Sequence, residues 1–172
     1  MMATLLYGVV GCCVLPRDDS MPVAGWVERA ILFPDGLPVH AKLDTGAKTT
    51  SINAVDPIFF TRDSRRWVRF SLTSRQGQTI ILERPVVRVA TIKRHFSRTQ
   101  ERPVIKLDIC IGAVRKMVEV NLVDRTGLNY QLLVGRNFLG SSLLVQSDRT
   151  YILSKSEKVG STTKVEAEHN CF

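Results

Sequence analysis

Asp44, Thr45 and Gly46 stand together in "HAKLDTGAKTTS", His40 to Ser51, directly behind an alternating stretch. An acid, a hydroxyl and a glycine at the end of a strand form either an ordinary turn or half of a two-carboxylate site. In such a site one carboxylate activates water while a second, protonated, acts on a carbonyl oxygen. Like charges ~3 Å apart cannot both ionise, so the pair shares one proton. Thr45 would supply a hydroxyl that fixes the turn, and Gly46 would let backbone and substrate approach closely.

A second element lies about ninety residues further on, in "LLVGRNFLG", Leu132 to Gly140. An apolar strand runs into Gly135, Arg136 and Asn137, and then into what reads as the start of a short helix. Only one Asp-Thr-Gly is present. Asp63-Ser64-Arg65 lacks the glycine, and "DRTG" at Asp124 has the wrong spacing. Two facing carboxyls therefore require two copies of the chain, with Asp44 meeting its own copy across a two-fold axis.

Strands must carry both elements. Gly25 to Phe33 reads as a first strand, and Pro34 to Gly36 as a turn. Leu37, Val39, Ala41 and Leu43 then alternate with polar positions, giving a strand with one buried face that ends at Asp44. Further strands are predicted over Trp67 to Leu72, within Thr79 to Ile92, over Ile105 to Ile111, Val114 to Val123 and Gln131 to Val134. A last hairpin is predicted from Leu143 to Gln146 and Thr150 to Leu153. Many short strands and one weak helix predict an all-β protein, a closed barrel or a sandwich. At 172 residues one domain is expected, spanning 23–154. Residues 1–22 read as an export or lipoprotein signal remnant with a linker, and 155–172 as a polar disordered tail.

The net charge of +8 points to an anionic partner, or simply to a soluble basic protein. Basic residues are densest at Arg62 to Arg69 and Lys93 to Arg102. No aromatic ladder interleaves them in sequence, so nucleic acid is not expected as a partner. The four cysteines show no CxxC spacing, and the three histidines lie far apart, so neither a disulfide framework nor a metal site is expected. Cys110 reads as an inert core residue, and Trp26 and Trp67 as core or barrel-rim residues. No phosphate-binding GxxxxGK[ST] loop and no HExxH occurs, and no cofactor is expected. Val9-Val10-Gly11-Cys12 resembles a relaxed bacterial lipobox behind a short apolar stretch. The expectation is a periplasmic or membrane-anchored lipoprotein lipidated at Cys12, with a cytoplasmic protein as the alternative. No stretch reaches the ~20 apolar residues that cross a bilayer as a helix.

"GWVE", "AKLDTGAKTTS", "RRWVRF", "ERPVI" and "LVGR" together resemble the bacterial retropepsin-like aspartic peptidase family that carries the label ATP-dependent zinc protease. The resemblance covers roughly Gly25 to Leu153. It implies a retropepsin-like closed β-barrel with one short helix after the Gly-Arg-Asn turn. It also implies a homodimeric aspartic endopeptidase acting on a peptide or protein substrate. The alternative is a non-catalytic peptide- or cell-wall-binding module on the same barrel. The residues support neither ATP nor zinc, and Asn53 stands where close relatives often have His. By position, Asp44 matches the catalytic aspartate. Thr45, Gly46 and Ala47 match its structural partners, and Gly135, Arg136 and Asn137 match the supporting turn. Retroviral enzymes place an acid after this run that pairs with the arginine. Here Lys48 stands there, and it would repel Arg136 and weaken the dimer contact. Lys48 and Thr49 are expected to border the substrate. A flap should cover the cleft, formed either by Ser74 to Gly77 or by Lys93 to Arg102, the flap position in the retroviral layout. Arg98 and Arg102 would make the second loop a basic flap that favours acidic substrates; the alternative is a solvated basic loop.

Overall fold

The computed structural model describes residues 21–74, 77–94 and 97–153, with the side chains at 93–94 and 97–98 left aside. Strands β1 (Val23–Phe33) and β2 (Leu37–Leu43) form an antiparallel pair around a turn in which Gly36 takes φ +66°. Strands β3 (Thr50–Asn53) and β4 (Val55–Arg62) follow, then β5 (Arg65–Thr73), β6 (Thr79–Pro85) and β7 (Arg88–Arg94). The long β8 (Ser97–Ile111) turns at Gly112 into β9 (Val114–Val123). The chain ends its described part with β10 (Leu132–Val134), helix α1 (Arg136–Leu139) and β11 (Leu144–Thr150).

Strands β1, β2, β10, β3, β9 and β8 pair in that order, and β8 returns to β1 to close a barrel. The period-2 pattern explains the interior. Leu37, Val39, Ala41 and Leu43 of β2 are all buried, and so are Ile105, Leu107, Ile109, Val120 and Leu122. Phe138 of α1 plugs the same core with no exposed surface. Strands β4, β5 and β6 form a separate three-stranded sheet. Val68, Phe70, Leu72 and Leu82 on its inner face join the barrel core. Its outer face carries Trp67 stacked on Phe60, with ring centroids 6.3 Å apart. Arg62 lies over both rings, so this face interleaves aromatic and basic side chains where the sequence reading expected no such ladder. Glu83 pairs there with Arg62 and Arg69, and hydrogen bonds from these two guanidinium groups hold its carboxyl below the usual range. Trp67 thus belongs to this added sheet, whereas Trp26 packs edge-on against Tyr130.

Several expectations are corrected. The segment 50–62 received no prediction and supplies β3 and β4. Its four-residue β3 is too short to show a period, and Pro57 breaks the pattern of β4. The closing hairpin is absent. Instead β11 is one strand lying parallel to β1, with Leu144 opposite Val23 and Gln146 opposite Gly25. A Cβ at Gly25 would stand 2.6 Å from the Arg149 carbonyl oxygen, so only glycine permits this approach. Cys110 is fully buried, and it is disulfide-bonded where no disulfide framework was expected. Residues 1–20 of the proposed signal and linker at 1–22, and all of the proposed tail at 155–172, lie outside the described residues.

Glu28 fixes the crossing of the last segment over β1. It has no exposed surface, and its Oε1 accepts hydrogen bonds from the backbone N–H of Gly25 (2.7 Å), Ile152 (2.8 Å) and Leu153 (3.3 Å). Glu28→Ala leaves these donors without that acceptor in a buried place. The expected loss is about 3 kcal/mol of unfolding free energy, read from urea midpoints. A midpoint equal to that of the wild type would remove this role from Glu28.

Candidate active site

Strand β2 delivers Asp44 to the barrel end, where the Asp44 N–H still donates to the Val134 carbonyl of β10 at 2.9 Å. The chain then turns back. Asp44 Oδ1 accepts from the Gly46 N–H at 3.0 Å and the Ala47 N–H at 3.2 Å, and Ala47 N–H also reaches the Asp44 carbonyl. Among the described residues Oδ2 makes no hydrogen bond. The carboxylate is half-buried, and Thr45 and Gly46 are exposed. One oxygen is thus fixed by backbone donors while the other is left without one among the described residues.

Gly135, Arg136 and Asn137 contact this turn through hydrogen bonds that join two distant parts of the sequence. Arg136 N–H donates to the Ala47 carbonyl and Asn137 N–H to the Lys48 carbonyl. Asn137 Oδ1 accepts from the Thr50 N–H at 2.9 Å and the Thr50 hydroxyl at 2.8 Å, while its Nδ2 donates to the Glu119 carbonyl. Thr50 Oγ1 in turn accepts from the Gly135 N–H.

Two expectations change here. The hydroxyl that fixes the turn within the chain is that of Thr50; the Thr45 hydroxyl makes no hydrogen bond among the described residues. Arg136 does not depend on an acid at position 48. Its guanidinium donates to the Thr45 carbonyl at 2.9 Å and the Gly46 carbonyl at 2.8 Å. These bonds brace the residues next to Asp44, so the pairing lost to Lys48 is replaced by backbone acceptors. Lys48 is exposed and Thr49 half-buried. Both line a groove of about 540 Å³ with Arg88, Met117, Glu119 and Arg136. Asp44 does not line that groove, whose lining includes the Arg88–Glu119 ion pair at 2.6 Å.

Between the two flap candidates the pairing is informative. Ser74 to Gly77 joins β5 to β6 in the added sheet, whereas β7 and β8 form a hairpin of the barrel sheet itself. The tip at 95–96, with His95, and the side chain of Arg98 lie outside the described residues. Arg102 is on β8 opposite Ala90, and donates to Gln100 Oε1.

Sequence reasoning missed Arg125. The loop after β9 gives its N–H to Asn53 Oδ1 at 2.7 Å, its Nε to the Tyr130 carbonyl at 3.2 Å and its Nη1 to Ser51 Oγ at 3.3 Å. Burial lowers the proton affinity of this guanidinium most. The Arg102 charge lowers it further, and the Asp44 carboxylate acts in the opposite direction. Asp124 beside it is kept below the usual carboxylate range by hydrogen bonds from the Thr126 hydroxyl and N–H. The signal was present as "DRTG", a basic residue in a turn, but nothing local ties it to Asp44. Among the described residues no group of three or more His, Cys, Asp and Glu side chains comes together as a metal site.

Comparison with known proteins gives three findings. Residues 23–156 match the RimB-like family model, described as the retropepsin-like aspartic endopeptidase RimB. A protein of Shewanella pealeana named "Probable alpha-L-glutamate ligase" is 32% identical over 142 residues, covering 80% of this chain and 31% of that protein. One of the same name from Parasynechococcus marenigrum is 29% identical over 122 residues, covering 69% and 26%. The chain therefore spans about a third or less of these curated relatives. The crystal structure of protein Lpg0085 from Legionella pneumophila, described as of unknown function, superposes with a TM-score of 0.67. It shares 30% identity, covering 78% of this chain and 99% of that one. These names speak of a retropepsin-like enzyme and a ligase, not of an ATP-dependent zinc protease.

Proposed function

This chain belongs to the RimB-like family of retropepsin-like aspartic endopeptidases, and on that premise we propose that it hydrolyses peptide bonds with water activated between the Asp44 carboxyls of two copies. The observation that carries the reading is the state of Asp44. Its Oδ1 is fixed by the Gly46 and Ala47 N–H groups, and its Oδ2 is left to a water or to a second carboxyl. One carboxylate takes a proton as water attacks the carbonyl carbon, while the protonated partner donates to the carbonyl oxygen. Collapse breaks the C–N bond as a proton passes to the leaving nitrogen. The exposed Thr45 hydroxyl is available to the second copy.

The proposed substrate is a glutamate-rich peptide. Support comes from the glutamate in the relatives' names, from the net charge of +8 and from Arg102 and Arg125 acting on the Asp44 side of the barrel. The shared region is about a third of those relatives, so their ligase activity is not carried over. The name does favour a second reading, a module that holds a glutamyl peptide without cutting it.

The test uses a synthetic glutamate-rich peptide followed by mass spectrometry. Wild type is expected to shorten it. Wild type and Asp44→Asn, unfolded and refolded together in equal amounts, should retain about one quarter of the all-wild-type rate, because only dimers with two intact carboxyls work. Retention of one half would mean that single chains act alone. Binding without shortening would favour the second reading.

A further inference from the structure

The barrel has a second face at the Asp44 end. Leu133 lies opposite both Lys42 and Ser51, Ser51 opposite Asn121, and Asn121 opposite Val104. Their neighbours Leu43, Val134, Ile52, Val120 and Ile105 face the core. Alternation therefore turns this row away from the core, and Asp44 follows Lys42 by two residues on the same side. Ser51 and Asn121 are nevertheless 5% and 6% exposed. Among the described residues Asn121 Oδ1 has no hydrogen-bond partner, and neither has Oε1 of Gln131, two residues before Leu133. Buried amide oxygens are nearly always paired, so an orphan here points to a missing donor.

Arg125 is a half-buried cation on this face. Its Nε and Nη1 are held by the neutral acceptors Tyr130 O and Ser51 Oγ. Among the described residues it forms no ion pair, and its Nη2 makes no hydrogen bond. A half-buried guanidinium fixed in place without a carboxylate is prepared for one.

We propose that Arg125, Ser51 and Asn121 form a specificity subsite beside Asp44. It takes one acidic side chain of the bound peptide on the Arg125 guanidinium and the backbone N–H of that residue on the Asn121 amide oxygen. This rests on the reading of the cleft as a peptide site, and it names the residues that select the substrate. A glutamine in place of the acid gives up the charge-assisted bond and leaves the guanidinium desolvated without a counter-charge.

The test compares a glutamate-containing peptide with variants in which each Glu is replaced in turn by Gln. At one position wild type is expected to prefer Glu over Gln by about 30-fold in kcat/KM. In Arg125→Gln that ratio should fall to near one, and in Arg125→Lys it should survive in part. A purely structural role would slow both peptides alike and leave the ratio unchanged, which would overturn the subsite. A parallel arm measures binding of fluorescent tetra-α-glutamate to Asp44→Asn protein, with and without Arg125→Gln. Arg125-dependent binding without hydrolysis by wild type would sink the peptidase reading and keep the subsite. Hydrolysis with an Arg125-independent ratio would do the reverse. No binding and no hydrolysis would overturn both.

Discussion

Asp44→Asn is expected to lose peptide hydrolysis by about 10³-fold or more while keeping its fold. The two halves of that expectation have different origins. The asparagine carbonyl oxygen can take the place of Oδ1 and accept the same Gly46 and Ala47 N–H groups, so the turn persists. The bonds from Arg136 to the Thr45 and Gly46 carbonyls do not involve the carboxylate at all. What is lost is the ability to exchange a proton with water, and it is lost in both copies of a symmetric pair. Rates on the glutamate-rich peptide and thermal unfolding, measured on the same preparation, check both. Equal cleavage by variant and wild type would end the aspartic mechanism. Collapse of the variant's unfolding transition would mean that the carboxylate charge, not its geometry, supports the turn.

Gly135→Ala is expected to damage the site without touching Asp44. The added Cβ would lie 2.7 Å from the Thr49 carbonyl carbon, 2.9 Å from its oxygen and 3.0 Å from the Ala47 oxygen. All three are backbone atoms in the segment between Asp44 and β3, so no side chain can swing away. The segment must move. Its anchors are the bonds from Arg136 N–H to Ala47, from Thr50 to Asn137 and from Gly135 N–H to Thr50. Overpacking of this kind costs about 1–3 kcal/mol. A displacement of about 1 Å at the carboxylate costs roughly 10²-fold in rate. Urea unfolding and kcat measured together should therefore both fall, with the rate falling further than the folded fraction. A variant with wild-type rate and midpoint would show that the backbone yields elsewhere.

The sequence alone determined the strand that carries Asp44, because Leu37, Val39, Ala41 and Leu43 must all face one way to be buried. It also determined the strand β9, the loop after it, and the helix start behind Gly-Arg-Asn, each set by a local period or a turn residue. Matching motifs placed Gly135, Arg136 and Asn137 beneath Asp44, and the fold seats them there. Tertiary structure decided what no window of sequence contains. Arg136 finds carbonyls in place of an acid, Thr50 takes the supporting role assigned to Thr45, and β11 runs parallel to β1 where a hairpin was expected. Arg125 and Asn121 join Ser51 on one face only because β3 and β9 are neighbours in the barrel, seventy residues apart in the chain. The division has one physical reason. Burial of alternate side chains is a local requirement and leaves a local pattern, whereas hydrogen-bond partners across a closed sheet are chosen by strand order and register, which a single strand does not encode.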